Sequence, residues 1–133
     1  MLHISRRQWG HMARGDFLDR IEELIRVNLP EAEARRYDLR RMAIHCVTTA
    51  ESKGLITERA IAAFVLHMVR INPEFHRQKT LASLLNDMSV DESTRMEQLL
   101  TNPDEIAWEE AAAMCDPMLY WQPFLLPVPL PTP

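Results

Sequence analysis

Five histidines and two cysteines are the side chains of this 133-residue chain best suited to metal binding or nucleophilic catalysis. The histidines lie at positions 3, 11, 45, 67 and 76, and no two of them are three or four residues apart. A separation of three or four residues is what places two metal ligands on the same face of a helix. The two cysteines, Cys46 and Cys115, are too few for a disulfide framework or a four-cysteine zinc site. The sequence therefore predicts neither a metal ion nor a cofactor.

The sequence also contains no recognisable catalytic motif. A pair formed by His45 and Cys46 would be poorly arranged, because adjacent residues on a helix point about 100° apart. We interpret His45 as a hydrogen-bonded histidine of the core, and His67 and His76 as surface residues. With only three glycines, the chain has no phosphate-binding loop or dinucleotide fingerprint, and it has no His-Glu-x-x-His or nucleophile elbow. We expect no catalytic residues, and a small enzyme is kept as an alternative.

The charge is unevenly distributed along the chain, although the net charge is only −4. Residues 1–45 carry nine arginines against seven acidic residues, whereas residues 86–116 carry nine acidic residues and a single basic one, Arg95. Such a field repels phosphate groups and favours a basic partner. The acidic face predicted to bind that partner consists of Asp104, Glu105, Glu109 and Glu110. The competing interpretation of the acidic face is a solvated helix surface. A helix-turn-helix that binds nucleic acid over residues 59–79 is a further alternative, although the chain has no basic stripe.

The elements that position these residues are all helical by pattern. Residues 39–50 and 58–69 repeat apolar side chains at i, i+3 and i+4, and no stretch alternates apolar and polar residues as a strand would. Thr57 is predicted to cap one helix, Gly54 to end another, and Asp116-Pro117 to end the last. The predicted helices are 5–28, 31–53 with a break near Tyr37, 58–71, short helices after Pro73 and from Thr80, one from the capping box at Ser89, and 103–115.

The fold class expected from this pattern is all-α, a single-domain bundle of about five to six helices with an extended proline-rich C-terminal tail. The bundle covers residues 1–117 and the tail covers residues 118–133. No apolar run approaches the roughly 20 residues that span a bilayer, and the first residues do not read as a secretory signal. We therefore expect a cytoplasmic protein that does not bind a membrane.

The tail has a one-sided chemistry if it is extended. Its prolines at 127, 129, 131 and 133 share one parity, so every missing amide hydrogen lies on one edge of the backbone. The same parity places four apolar side chains on one face. These predicted partner-binding residues are Phe124, Leu126, Val128 and Leu130. The tail can add a strand to a partner or to a second copy of the chain, fold back over its own helices, or stay disordered, and the sequence leaves these three outcomes open.

Three stretches carry a resemblance to a known group of proteins. They are the helix start Ile4-Ser5-Arg-Arg-Gln8, the segment SKGLITERAIAAFVLHMVRINPEF at 52–75, and the segment LASLLNDMSVDESTRMEQLL at 81–100. Their order resembles that of small uncharacterised all-helical proteins encoded beside toxin, PAAR and VgrG genes in bacterial type VI secretion clusters. The resemblance implies an accessory or cognate protein of an effector, and no catalytic residue carries over from it.

The resemblance, the acidic face and the tail lead to one expected function. The chain is expected to be a non-enzymatic protein-binding accessory, a chaperone-like adaptor for a type VI secretion effector. The alternative is an immunity protein that neutralises a cognate toxin. In both cases the partner is a protein, a homodimer through the tail is also allowed, and no nucleic acid is expected.

Overall fold

The structure is a computed structural model that describes the backbone of residues 6–128 and the side chains of residues 14–128. It is mostly helical, with about 70% of residues in helices. In the described range the chain forms eight α-helices and two short 3₁₀-helices, and it has no strand. The α-helices are α1 (Arg6–Asn28), α2 (Glu31–Ala34), α3 (Leu39–Ser52), α4 (Glu58–Arg70), α5 (Lys79–Leu85), α6 (Glu92–Leu100), α7 (Glu105–Ala112) and α8 (Pro117–Trp121).

The all-α prediction is confirmed, but the number of helices is larger than predicted. The break near Tyr37 separates α2 from α3, and Asp38 caps α3 by accepting a hydrogen bond from the Arg41 amide at 3.2 Å. Asp116-Pro117 was expected to end the last helix. Instead Asp116 caps α8 and Pro117 occupies its first turn, because a proline at that position loses no helical hydrogen bond.

The core is centred on α1, α3 and α4, which pack against one another. The predicted stripe of α3 is buried, and so is the apolar face of α4 around Phe64. The smaller helices complete the fold around α4. α6 packs beside the first turns of α4, whereas Phe75, from a 3₁₀-helix at Phe75–Arg77, and Trp108 of α7 contact Phe64 and His67 farther along α4. The innermost residues, all almost fully buried, are Ile25, Met42, Cys46, Val47, Phe64, Val65, Met68, Phe75, Leu81, Leu85 and Leu99.

Two helix boundaries depend on the residues that the sequence singled out. Thr57 accepts a hydrogen bond from the Ala60 amide at 3.3 Å and so caps α4 as predicted. Gly54 follows the end of α3 with a φ of 80°, a left-handed conformation that L side chains rarely adopt. A Cβ atom at this position would lie 2.9 Å from the terminal methyl group of Met88, an exposed and flexible side chain that can move aside, so the backbone conformation is the reason for glycine here.

The capping box predicted at Ser89 does not form. Asp91 caps α6 instead, by accepting a hydrogen bond from the Thr94 amide at 2.7 Å. Glu92 turns away from its own helix, and its Oε1 atom accepts hydrogen bonds from the Ile56 and Thr57 amides at 3.0 and 2.9 Å. Glu92 therefore joins the start of α6 to the start of α4.

In the described part of the chain, no helix is both long enough and apolar enough to cross a membrane.

Candidate protein-binding surface

The C-terminal segment, residues 117–128, begins as a helix where an extended tail was predicted from residue 118. After α8 comes a second 3₁₀-helix at Gln122–Phe124, and extended backbone begins only at Leu125. The prediction of the boundary was wrong because the aromatic residues of this segment pack against α3, and helical turns place them there. We call residues 125–128 the strip.

α8 has a buried side and an exposed side. Trp121 is buried and Tyr120 half-buried, and their rings meet edge to face at 4.8 Å. The opposite side carries Met118 and Leu119, whose side chains are 70% and 67% exposed. The helix thus presents two large apolar side chains to solvent while two others hold it against the core.

A hydrogen bond joins α8 to α3. His45 Nε2 lies 2.6 Å from the Tyr120 hydroxyl, and the His45 ring also packs against Phe124 at 5.2 Å. Burial lowers the pKa of His45 and raises the pKa of Tyr120 to about 12, so both groups are neutral at pH 7. The expectation of a hydrogen-bonded histidine holds for His45, and the pair anchors the C-terminal segment.

The strip pairs with the loop between α2 and α3. The Asp38 amide donates to the Phe124 carbonyl at 2.8 Å, and the Leu126 amide donates to the Arg36 carbonyl at 2.7 Å, which forms an isolated antiparallel bridge between Tyr37 and Leu125. The backbone edge without prolines therefore forms a hydrogen bond at Leu126, and its acceptor is the Arg36 carbonyl of the same chain. The sequence left three outcomes open for the tail. For residues 124–126 the structure shows the second of them, because these residues fold back on their own domain.

The four predicted tail residues do not share one environment. Phe124 is half-buried in the 3₁₀-helix, and the guanidinium group of Arg41 lies 5.4 Å from its ring centre. Leu126 and Val128 are exposed, Val128 to 87%. Leu130 lies outside the described residues. The predicted single apolar face is wrong for Phe124, because its ring joins the aromatic cluster of α8 and α3 and its backbone is not extended.

The acidic face is only partly free to meet a partner. Asp104 caps α7 by accepting a hydrogen bond from the Ala107 amide at 3.1 Å, and Glu110 accepts one from the Gln78 side chain at 3.0 Å. Glu105 and Glu109 are exposed and have no hydrogen bond or ion pair with any residue that the structure describes. Ile106, between them in sequence, is 68% exposed.

Two buried polar residues were missed by sequence reasoning. His76, predicted at the surface, is only 7% exposed and packs against Phe64, with neither ring nitrogen in hydrogen-bond geometry with any described atom. Arg95 is buried too, and its guanidinium donates to the Leu85 carbonyl at 2.9 Å and more weakly to those of Lys53 and Gly54. The sequence carries no signal for burial at either position, because polar residues surround His76 in EFHRQK and Arg95 in ESTRMEQ.

Gly54 and Arg95, which belong to the two longer stretches that carried the resemblance, meet in the fold. Their contact joins the end of α3 to α6, beside the hydrogen bonds that Glu92 makes to the start of α4. These motif residues therefore have a structural role that accounts for their types and spacing.

Among residues 14–128 there is no group of three or more metal-ligating side chains.

Comparison of the chain with protein-family models, with curated proteins and with solved structures gave no match.

Proposed function

We propose that this protein is a non-enzymatic adaptor that holds a secreted protein effector in the cytoplasm, and that it binds through the outer side of the C-terminal segment. One observation supports this most directly. Of the eleven large apolar side chains that are exposed in the described part of the chain, four lie within residues 118–128. These four are Met118, Leu119, Leu126 and Val128.

The segment is suited to binding because it is held in place before a partner arrives. Trp121 and Phe124 pack against the core, the Leu126 amide is hydrogen-bonded, and Arg41 donates to the Pro123 carbonyl at 3.3 Å. Ordering a loop upon association costs binding free energy, and a segment that is already ordered avoids most of that cost. The exposed apolar side chains of α8 and the strip thus form a preorganised surface.

The class of partner follows from the resemblance to proteins of type VI secretion clusters, which points to an effector encoded nearby. Both described cysteines are free thiols, which agrees with a reducing compartment. The adaptor and the effector would meet in the cytoplasm before secretion.

The test is binding of the adjacent gene's product to a Met118→Ser/Leu119→Ser variant, measured by calorimetry. Burying one large apolar side chain contributes about 1.5–3 kcal/mol, so losing two should weaken binding at least about tenfold. Ile56→Ser is the matched control, because Ile56 is 82% exposed but lies before α4. Equal affinity of the double variant and the control would refute the proposed surface.

An immunity protein is the second candidate, and the exposed carboxylates of Glu105 and Glu109 beside exposed Ile106 favour it. Such a surface suits a basic toxin whose active site it would cover. Co-expression separates the two functions. Survival of cells that produce the toxin supports immunity, whereas continued toxicity with improved secretion of the effector supports the adaptor.

A further inference from the structure

A groove of about 590 Å³ lies between α4 and α6. Its lining includes two buried apolar residues, Ala60 of α4 and Met96 of α6. Leu100, farther along α6, also lines the groove, and it is 40% exposed. The groove thus has an apolar interior and, on one wall, a large apolar side chain that remains in contact with solvent.

The two walls of the groove carry opposite charges. Arg59 lies on the α4 wall and Glu97 on the α6 wall, both are exposed, and neither forms an ion pair with any residue that the structure describes. The neighbouring acidic residues are already engaged, because Glu58 pairs with Arg20 at 2.6 Å and Glu92 accepts backbone hydrogen bonds at the start of α4. Arg59 and Glu97 can therefore each pair with a charge on a partner.

The two charges lie at similar positions along the groove. Glu92, the first residue of α6, accepts a hydrogen bond from the Thr57 amide at the cap of α4, and both helices line the groove as they run away from that point. Arg59 is two residues beyond Thr57, and Glu97 is five residues beyond Glu92. At the helical rise per residue their Cα atoms differ by about 5 Å along the groove, a distance that an arginine side chain spans.

A surface with this arrangement is complementary to itself. A two-fold rotation about an axis along the groove places the α4 wall of one copy opposite the α6 wall of the other, so that Arg59 of each copy faces Glu97 of the other. Most homo-oligomers are two-fold dimers that use the same surface on both subunits. An unrelated protein would need a matching base and acid at the same spacing, whereas a second copy of this chain carries both.

We propose that two copies of this chain associate through the groove between α4 and α6. Arg59 of each copy pairs with Glu97 of the other, and Leu100 of each packs against Ala63 of the other, which removes exposed apolar surface from water. The interface is small and therefore weak, with a dissociation constant on the order of 100 µM. At about 1 µM the chain is then a monomer, and its unfolding reports on the monomer. This inference does not depend on the proposed function.

The test is sedimentation equilibrium of the full chain and of charge-reversal variants. At about 0.5 mM the wild type should sediment mostly as a dimer. Arg59→Glu and Glu97→Arg, each alone, should raise the dissociation constant at least about tenfold, because both symmetric contacts become repulsive. Arg70→Glu is the matched control and should dimerise as the wild type does, because exposed Arg70 belongs to the same helix and does not line the groove.

An equimolar mixture of the two single variants separates an intermolecular contact from a structural role. In the mixed dimer the two substituted positions face each other with opposite charges, and so do the two unchanged positions. We therefore expect the mixture to regain the wild-type dimer, which mixing cannot do for a defect within one fold. The proposal is overturned if the wild type stays monomeric, if either single variant dimerises like the wild type or if the mixture stays monomeric. A dimer that only Met118→Ser/Leu119→Ser disrupts would also overturn it, by placing the interface on α8.

Discussion

His76 is the least expected residue of the core, because an imidazole, whose usual pKa is 6.5, is enclosed there without a hydrogen bond to any residue that the structure describes. Burial and the nearby Lys53 ammonium lower the pKa of His76 from 6.5 to about 4. The Glu74 carboxylate and the Pro73 carbonyl offset part of the shift, although the carbonyl is outside hydrogen-bond geometry. His76 is therefore neutral at pH 7.

This shift predicts a loss of stability in acid. The pKa of His76 is lower in the folded state than in the unfolded state, so the unfolded chain takes up the proton first as the pH falls from 6.5 to about 4. The loss over this window is roughly 3 kcal/mol. His76→Leu cannot be protonated, so its free energy of unfolding, measured in urea at several pH values, should fall less than that of the wild type. Parallel pH curves would contradict the assignment.

Arg95 carries a second prediction about a single residue. Its guanidinium joins carbonyl groups at the ends of α3 and α5. Arg95→Met removes these hydrogen bonds and leaves the buried Leu85 carbonyl without its Arg95 donor. Hydrogen bonds to charged groups contribute about 1.5–3 kcal/mol, so we expect a destabilisation of about 2–3 kcal/mol in urea unfolding. Arg59→Met is the control, because exposed Arg59 should change stability by about 0.5 kcal/mol or less. Equal effects of the two variants would exclude the proposed role.

At the scale of the elements, the strip contacts the loop between α2 and α3 through the backbone edge that has no prolines, and substitutions can test whether this edge holds it there. Leu126→Pro removes the amide that donates to the Arg36 carbonyl, and we expect a destabilisation of about 1 kcal/mol. Amide exchange of Asp38, whose amide donates to the Phe124 carbonyl, should become faster. Pro127→Ala adds an amide hydrogen on the opposite edge, so Asp38 exchange should stay as in the wild type. The reverse order of the two variants would show that the attachment does not depend on this edge.

The helices show how far a local pattern predicts an element. Residues 58–71 were predicted as one helix and α4 spans Glu58–Arg70, because a capping threonine and an apolar face of helical period agree there. Around Asp116-Pro117 the pattern failed. A proline after a capping residue is compatible with the end of one helix and with the start of the next, and the packing of Trp121 on α3 selects the start.

At the scale of the whole molecule, the acidic residues of the C-terminal part predict how binding depends on salt. If the proposed partner is a basic toxin, Glu105→Gln/Glu109→Gln should reduce the salt dependence of the affinity for it, because these exposed carboxylates lack partners among the described residues. The fold should lose about 0.5 kcal/mol or less. Asp16→Asn/Glu33→Gln removes two exposed charges elsewhere and is the matched control. An unchanged salt dependence in the first variant would remove the acidic face from the binding surface.

The sequence by itself determined the helical fold class, the main helices of the core and the backbone edge of the strip that carries amide hydrogens. These properties depend on residues a few positions apart, and helical period, capping and proline chemistry act over that range. The burial of His76, the contact between Arg95 and Gly54 and the return of Phe124 to the core were decided only by the tertiary structure. Each of them joins residues that are distant in sequence or places a side chain between several helices. The free energy of such contacts depends on tertiary packing, which no single segment specifies.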